Sequence, residues 1–353
     1  MGSKYVWLVG LAVLLALGVL AACGGAGEPA EITLMTHDSF DVSEEVLAAF
    51  ETANEVKVVL LPAGDAGTMI NQAILAREDP LADVIFGVDN TFLGRVLAAD
   101  IVEPYDSPLL AEIASAARLD PSNRLLPVDA GDVCINYDRG YFDDKALPVP
   151  QSLAELTDPA YRGLLVVENP ATSSPGLAFL LATVSVFGTE GDYTYLDYWA
   201  DLRANDVLVA NDWNTAYYTY FAATGSGDRP MVVSYATSPA AEVIYADPPV
   251  DTAPTASITA PDTCFRQVEF VGILKGTKQR ALAEKLVDFL LSRPFQEDMP
   301  LKMFVFPVNT TASLPAEFEV WATIPPDTAD LDLALIAANR EAWIEAWTAT
   351  VLR

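Results

Sequence analysis

Short apolar runs alternate with stretches of helical spacing along the first third of the chain. Three runs are typical of strands: Ile32–Met35, Val56–Leu61 and Asp83–Val88. Two stretches between them repeat their apolar residues at helical spacing: residues 46–50 and Met69–Ala76. The third run is almost unbroken, as expected for a strand buried on both faces of a parallel sheet. This alternation predicts an α/β layer architecture.

The middle of the chain, from about residue 135 to 262, repeats this pattern as a second unit. Its predicted strands are Leu164–Val167, Val207–Ala210 and Met231–Ser234, and its predicted helices are Leu177–Val186, Tyr195–Asn205 and Thr215–Ala223. Two extended apolar segments flank this unit: Cys134–Tyr137 and Val268–Leu274. Further helices are predicted toward the C-terminus: an amphipathic one over Arg280–Ser292, which Pro294–Met299 continues or breaks, and two stretches within Leu331–Leu352.

The second unit is inserted within the first, because the chain returns to the first unit after residue 264. This order predicts two lobes joined by segments that cross between them. We assign residues 31–133 and 265–310 to lobe 1, residues 134–264 to lobe 2, and residues 311–353 to a helical segment that packs across both. The crossing segments around Cys134 and Val268 are the predicted hinge. Such a hinge permits closure over a cleft between the lobes.

The N-terminus has the pattern of a bacterial lipoprotein signal peptide. An apolar run from Val6 to Leu20 follows Lys4 and ends in small residues immediately before Cys23. The run is shorter than the roughly 18–20 residues that span a bilayer comfortably. We therefore predict a signal peptide over 1–22, lipidation of Cys23, and a tether over 23–30 that anchors an exported domain to the cell envelope. The alternative is an uncleaved membrane helix with a chance cysteine.

Composition narrows the function further. The chain of 353 residues is 52% hydrophobic and carries a formal net charge of −29, so it is a globular protein whose surface repels nucleic acid. The charge is equally explained by solubility in an acidic or salty habitat.

Besides Cys23 the chain has two cysteines, Cys134 and Cys264. In an exported protein we expect them to form a disulfide, and the alternative is two buried free thiols. With His37 as the single histidine, no metal site is predicted.

Candidate ligand-binding residues follow the predicted strands, where open α/β sheets bind their ligands. In lobe 1 they are His37, Asp38, Asp65 and Asp89, and in lobe 2 they are Ser173, Ser174, Trp213, Tyr235, Thr237 and Ser238. Carboxylates together with aromatic rings suit a flat, cationic ligand. Each has a structural alternative: Asp65, Asp89 and Ser173 are possible helix caps, and the two rings are possible core residues. The chain has neither a credible Ser-His-acid arrangement nor a phosphate-binding glycine loop.

Seven blocks of sequence resemble the periplasmic thiamine-binding proteins of bacterial thiamine ABC transporters. They are Thr36–Phe40, Ala82–Asn90, Thr172–Leu177, Ser234–Ala240, Gln267–Glu269, Phe306–Val308 and Ala342–Trp347. The resemblance runs in order from about residue 31 to the end. It implies a two-lobe, type II periplasmic-binding-protein fold, each lobe a mostly parallel sheet flanked by helices. It also implies a monomeric, non-enzymatic receptor for thiamine, its monophosphate or its diphosphate, which delivers the ligand to a permease with its ATPase.

The resemblance also implies a ligand-contacting set, which falls on Asp65, Ala66, Ser173, Ser174, Trp213, Tyr235, Ala236, Thr237 and Ser238. Three positions depart from the family pattern. Ala66 stands where the family has glycine, His37 where an aromatic residue is usual, and Phe304 where a tryptophan is expected. These changes leave the affinity and the preference among the phosphates open.

Other functions remain as alternatives at this point. A binding protein of the same fold for ferric iron would use adjacent tyrosines such as Tyr217 and Tyr218, and a polyamine receptor would use the carboxylates. An exported hydrolase would pair carboxylates such as Asp65 and Asp89, although nothing in their spacing demands it.

Overall fold

The computed structural model describes residues 29–353. The predicted signal peptide, the lipidation site Cys23 and the tether as far as residue 28 lie outside the described residues. Ala30, at the end of the predicted tether, already begins the first strand. Within residues 29–353 no helix has the length and apolar character needed to cross a membrane.

Eleven strands are present in this range. They are β1 (Ala30–Thr36), β2 (Val56–Pro62), β3 (Val84–Asp89), β4 (Val102–Glu103), β5 (Leu126–Asp138), β6 (Leu165–Glu168), β7 (Leu208–Ala210), β8 (Met231–Tyr235), β9 (Thr255–Ile258), β10 (Phe265–Leu274) and β11 (Phe306–Pro307). The strands predicted from the apolar runs are thus all found, with ends that shift by a few residues.

The α-helices surround these strands. They are α1 (Glu44–Asn54), α2 (Ala66–Leu75), α3 (Leu93–Ala99), α4 (Arg139–Lys145), α5 (Ser174–Phe187), α6 (Tyr195–Ala204), α7 (Ser238–Ile244), α8 (Arg280–Leu291), α9 (Arg293–Lys302), α10 (Ala316–Trp321) and α11 (Leu333–Val351). Short 3-10 turns occupy Pro108–Ala111, Ser115–Ala117, Ala154–Thr157 and Pro159–Tyr161. Proline at the first turn of α5, α7 and α9 suits a helix start, where its missing N–H has no partner to lose.

The sheet order shows two parallel halves. Strands run in the order β2-β1-β3-β10-β5-β8-β6-β7, with β1, β2 and β3 mutually parallel in lobe 1 and β6, β7 and β8 parallel in lobe 2. The antiparallel strands β5 and β10 lie between these halves. This is the predicted mixed α/β architecture of two lobes.

Strand β5 passes from one lobe to the other. Its first part, Leu126–Val133, pairs with β10, and its last part, Val133–Tyr137, pairs with β8. The predicted disulfide is present: Cys134 and Cys264 are bonded with an S–S distance of 2.06 Å. It joins β5 to the residue that precedes β10, so it fastens the two crossing strands to each other at the start of lobe 2.

The sequence predicts two helical stretches in the C-terminal segment, and the structure differs from this prediction. The segment forms one 19-residue helix, α11, because its alanine-rich sequence has no glycine or proline to interrupt it. Trp347 packs edge-on against Trp199 of lobe 2 at 5.4 Å between ring centroids, and the Arg340 guanidinium lies 4.2 Å from the Phe92 ring centroid in lobe 1. The helix therefore contacts both lobes.

The predicted helix over Thr215–Ala223 is also different. A single helical turn at Trp213–Thr215 is followed by a π-helical turn at Ala216–Tyr220. Such turns insert an extra residue into the hydrogen-bond ladder and are frequent at functional sites. Here the turn brings aromatic side chains of this segment to one surface, described next.

Candidate ligand-binding cleft

A cavity of about 920 Å³ opens between the two lobes. Lobe 1 contributes the turn after β1, the start of α2 and the segment after α9. Lobe 2 contributes the starts of α5 and α7 and the turn after β7. The volume lies in the range of sites that enclose small organic ligands.

Most of the predicted site residues line this cavity. Those on its wall are His37, Asp38, Asp65, Ala66, Ser174, Trp213, Tyr235, Ser238 and Phe304. Four others are fully buried and do not reach the wall: Asp89, Ser173, Ala236 and Thr237. The predicted site residues therefore lie around one cleft, in two layers. The residues of one layer line the cavity, and those of the other layer are buried behind the wall.

The residues behind the wall hold its parts in place. Asp89 accepts hydrogen bonds from the backbone N–H and hydroxyl of Thr91, at 2.7 and 2.6 Å, so it orders the turn that leads into α3. The Thr237 hydroxyl donates to the backbone carbonyl of Phe304 on the opposite lobe. Ala236 packs against the disulfide. Asp89 therefore has a structural role in this turn, although the N-cap residue of α3 is Phe92 and not Asp89.

An aromatic surface forms the lobe 2 side of the cavity. The Trp213 ring stacks on Tyr217 with 4.9 Å between centroids and 17° between planes, and Tyr218 and Tyr235 meet it edge-on. The Trp213 indole N–H donates to the Ser234 hydroxyl at 3.0 Å, which fixes the orientation of the ring. Flat faces held in this way attract cations through the negative charge above the ring.

Two glycines make room for rings on the cavity wall. Gly87 has φ of +94°, and a Cβ atom there would lie 2.3 Å from the His37 ring. A Cβ atom on Gly131 would lie 2.7 Å from the Tyr235 ring. Glycine in a strand often marks such a close approach. A side chain at either position would displace a ring that lines the cleft.

The two lobes touch at the rim near Asp65. One Asp65 carboxylate oxygen accepts from the backbone N–H of Ala66 at 2.7 Å and caps α2, and the other accepts from the backbone N–H of Trp213 at 3.1 Å. The N–H of Gly67 donates to the Thr172 carbonyl at 3.0 Å, again across the lobes. The structure is therefore the closed arrangement of the cleft.

Carboxylates dominate the charge of the wall. The acidic residues on it are Asp38, Asp41, Asp65, Glu242, Asp247 and Glu269, against one lysine, Lys302, whose ammonium lies 3.3 Å from Asp41. Burial raises the pKa of Asp65, although the N–H groups of Ala66 and Trp213 oppose the shift. In the part of the chain from residue 29 onward, no group of three or more His, Cys, Asp or Glu side chains is arranged to hold a metal ion.

Glu269 is a wall residue that the sequence reasoning did not select. It lies on β10 with its carboxylate 3.6 Å from His37 Nε2. Burial lowers the pKa of His37, but the interaction with Glu269 and the charges of Asp65 and Asp38 together outweigh burial, so that pKa is raised. A charged residue inside the otherwise apolar run Val268–Leu274 was the signal that could have identified it.

Glu242, Tyr217 and Tyr218 are further wall residues that are not in the predicted ligand-binding set. Glu242 accepts hydrogen bonds from the hydroxyls of Tyr217 and Thr255. Burial raises the pKa of Glu242 to about 7, against the effect of these hydrogen bonds. Because Glu242 follows Ser238 by one helical turn on α7, helical spacing from the predicted Ser238 would have pointed to it.

The buried carboxyls predict that the folded protein is more stable in mild acid. Burial raises the pKa of Asp89 to about 6 and that of Glu168 well above its ordinary value. Because the unfolded chain binds these protons less tightly, the stability that the Asp89 proton contributes is complete below about pH 4 and is lost as the pH rises through about 6, and the Glu168 proton acts in the same direction. The shift at Asp89 alone corresponds to about 3 kcal/mol.

Urea unfolding between pH 4 and 8 measures this dependence of the free energy of unfolding on pH. We expect the free energy of unfolding to be larger at pH 5 than at pH 8, and Asp89→Asn to flatten the profile between pH 4 and 6. A stability that falls on going from pH 8 to pH 5 would contradict the assignment of these protons to the folded state.

Comparison with known proteins places the chain among exported receptors. Residues 79–329 match a family model described as bacterial extracellular solute-binding protein. A thiamine-binding periplasmic protein of Salmonella typhimurium is 29% identical over 351 residues, which cover 96% of this chain and 98% of the relative. A protein of the same description from Escherichia coli is 28% identical, with 91% and 94% covered. A solved structure described as a periplasmic thiamin binding protein superposes with a TM-score of 0.82 at 27% identity, covering 93% of this chain and 98% of that one.

Proposed function

The chain belongs to the bacterial extracellular solute-binding protein family, and we propose that it is a receptor that encloses thiamine between its lobes. One observation carries the proposal: the cleft joins a stacked aromatic surface around Trp213 to a wall of carboxylates. Thiamine is a flat aromatic cation, so both the ring faces and the carboxylates would contribute to its binding free energy. Relatives that are similar over nearly the whole chain are described as thiamine-binding, which supports the same ligand.

We propose that the receptor works outside the cytoplasm, anchored through Cys23, and hands its ligand to an ABC transporter permease with its ATPase. The basis is the small-residue pattern before Cys23 and the membership of an extracellular family. A lipid anchor would confine a monomeric receptor to a thin layer near the permease, raising its effective concentration there. Closure around the ligand, with β5 and β10 as the hinge, would present a distinct shape to the permease.

Calorimetric titration of the full-length protein with thiamine tests the proposal. We expect saturable heat, and at a ligand concentration of 100 times Kd a gain in folding stability of about 2.7 kcal/mol. Parallel titrations with thiamine monophosphate and diphosphate rank the three forms. We expect the acidic wall to favour the unphosphorylated cation. Absence of both heat and thermal shift at millimolar thiamine would reject thiamine as the ligand.

The ligand is expected to leave unchanged. Mass spectrometry of thiamine recovered after long incubation distinguishes a receptor from a hydrolase, which would release the pyrimidine and thiazole halves. Asp65 and Asp89, the pair that a hydrolase would use, are arranged differently in the structure: Asp65 is on the wall, whereas Asp89 is behind it with its oxygens hydrogen-bonded.

A further inference from the structure

Three carboxylates form one row across neighbouring strands below the cleft. Glu269 on β10 is paired directly with Asp89 on β3 and with Asp129 on β5. Directly opposed residues of antiparallel strands have side chains on the same face of the sheet. Of the three, only Glu269 reaches the cavity wall. The row therefore exposes one carboxylate and buries two behind it.

The two neighbours of Glu269 are buried behind the wall, so Glu269 is the carboxylate of this row that a ligand in the cavity can reach. Asp89 is occupied by hydrogen bonds from Thr91 and from the side-chain amide of Gln267. Asp129 is fully buried, and burial followed by the charge of Glu269 raises its pKa well above the ordinary value. Burial and the nearby charge thus favour the protonated form of Asp129.

Glu269 also lacks a permanent positive partner. Among residues 29–353 no lysine or arginine nitrogen lies within 4.0 Å of its carboxylate, and its charged neighbour is His37. His37 Nδ1 accepts a hydrogen bond from the backbone N–H of Ser39 at 3.2 Å, and its other nitrogen, Nε2, faces Glu269. A buried carboxylate that faces a cavity without a fixed counter-ion is complementary to a cationic ligand.

Asp65 has a different environment, although the family resemblance assigns it to the ligand. Both of its oxygens accept backbone N–H groups, and one of these, from Trp213, belongs to the opposite lobe. The neighbouring Gly67–Thr172 hydrogen bond crosses the same boundary. A Cβ atom on Gly67 would lie 2.8 Å from the Thr172 carbonyl, so this contact needs glycine.

We propose that Glu269 supplies the counter-charge for the ligand cation, whereas Asp65 is a positioning residue that holds the lobes closed. This division of roles rests on the proposed function. It makes Glu269 the residue that selects a cation over an uncharged ligand of the same shape. Asp65 stabilises the closed cleft for either ligand.

The test compares thiamine with 3-deazathiamine, an uncharged analogue whose thiazolium nitrogen is replaced by carbon. For Glu269→Gln we expect the affinity for thiamine to fall at least about tenfold, with a change under about threefold for the analogue. For Asp65→Asn and for Gly67→Ala we expect both affinities to fall by the same factor. Thermal unfolding of each variant verifies that it is folded.

Two further variants test whether the charge at position 269 is the cause of the change in affinity. Removing the charge at position 269 makes ionisation of Asp129 easier, so the double variant Glu269→Gln/Asp129→Asn is measured as well and should lose at least as much thiamine affinity. Glu269→Asp retains the charge and should retain the preference for thiamine; it also serves if the glutamine variant does not fold.

The outcomes are distinguishable. A loss of cation preference in Asp65→Asn, or its retention in the double variant, would overturn the assignment of roles while leaving thiamine binding intact. Failure of the unaltered protein to bind either compound would instead reject the proposed function itself.

Discussion

Replacing Trp213 with alanine is expected to weaken thiamine binding by about thirtyfold or more. The ring is held by stacking on Tyr217 and by its hydrogen bond to Ser234, so it is a rigid face on the wall of the cleft. Truncation of such an aromatic anchor commonly costs 2 kcal/mol or more of binding free energy. It also removes part of the surface on which the lobes close. Calorimetric titration measures the loss.

Trp213→Phe is the matched control for this substitution. It keeps a ring face but removes the indole N–H that bonds to Ser234. We expect the thiamine affinity of Trp213→Phe to lie between the affinities of the unaltered protein and of Trp213→Ala. Equal affinity of all three proteins would show that the ring does not contact the ligand, and would place the ligand elsewhere in the cavity.

Removal of the disulfide by Cys134→Ala/Cys264→Ala is expected to lower the free energy of unfolding by about 4–5 kcal/mol. The bond joins residues separated by 130 positions, so its loss returns considerable conformational freedom to the unfolded chain. Both cysteines are fully buried, and alanine introduces no polar group at these positions. Urea unfolding of both proteins gives the difference.

Unfolding of the unaltered protein in the presence of a strong reductant provides an independent measurement. It breaks the same bond without changing a side chain in the packed core. Agreement between the two experiments within about 1 kcal/mol would support the loop-closure explanation. The loop-closure explanation would be contradicted if, in both experiments, the free energy of unfolding fell by less than about 1 kcal/mol relative to the unreduced, unaltered protein.

The fold could be predicted from the sequence where burial leaves a simple pattern. The run Asp83–Val88 predicts a central strand because both faces of β3 are covered, and the structure has a strand over Val84–Asp89. The disulfide follows from counting cysteines in an exported chain. The prediction of two C-terminal helical stretches was wrong: the absence of glycine and proline in this alanine-rich segment was a local signal for the single helix α11, which packs against both lobes.

The cleft was predictable in part, for a related reason. Residues that follow strands, such as Asp65 and Tyr235, come together because sheet topology gathers those loops at one edge. The hydrogen bond from Trp213 to Asp65 joins residues 148 positions apart, and its existence depends on how far the lobes close. Glu269 was missed because it lies within a strand, and its importance depends on which neighbours on adjacent strands share its row.

The Cys134–Cys264 bond has a mechanical consequence for a chain that is pulled at its two ends. Because the bond closes a ring around lobe 2, tension applied between the two termini passes through the sulfur atoms and bypasses that lobe. Roughly 430–470 Å of contour length is thereby withheld from extension, at about 3.3–3.6 Å for each residue in the ring. Lobe 2 would stay folded under loads that unravel lobe 1, leaving half of the cleft as a template on which the rest can reassemble.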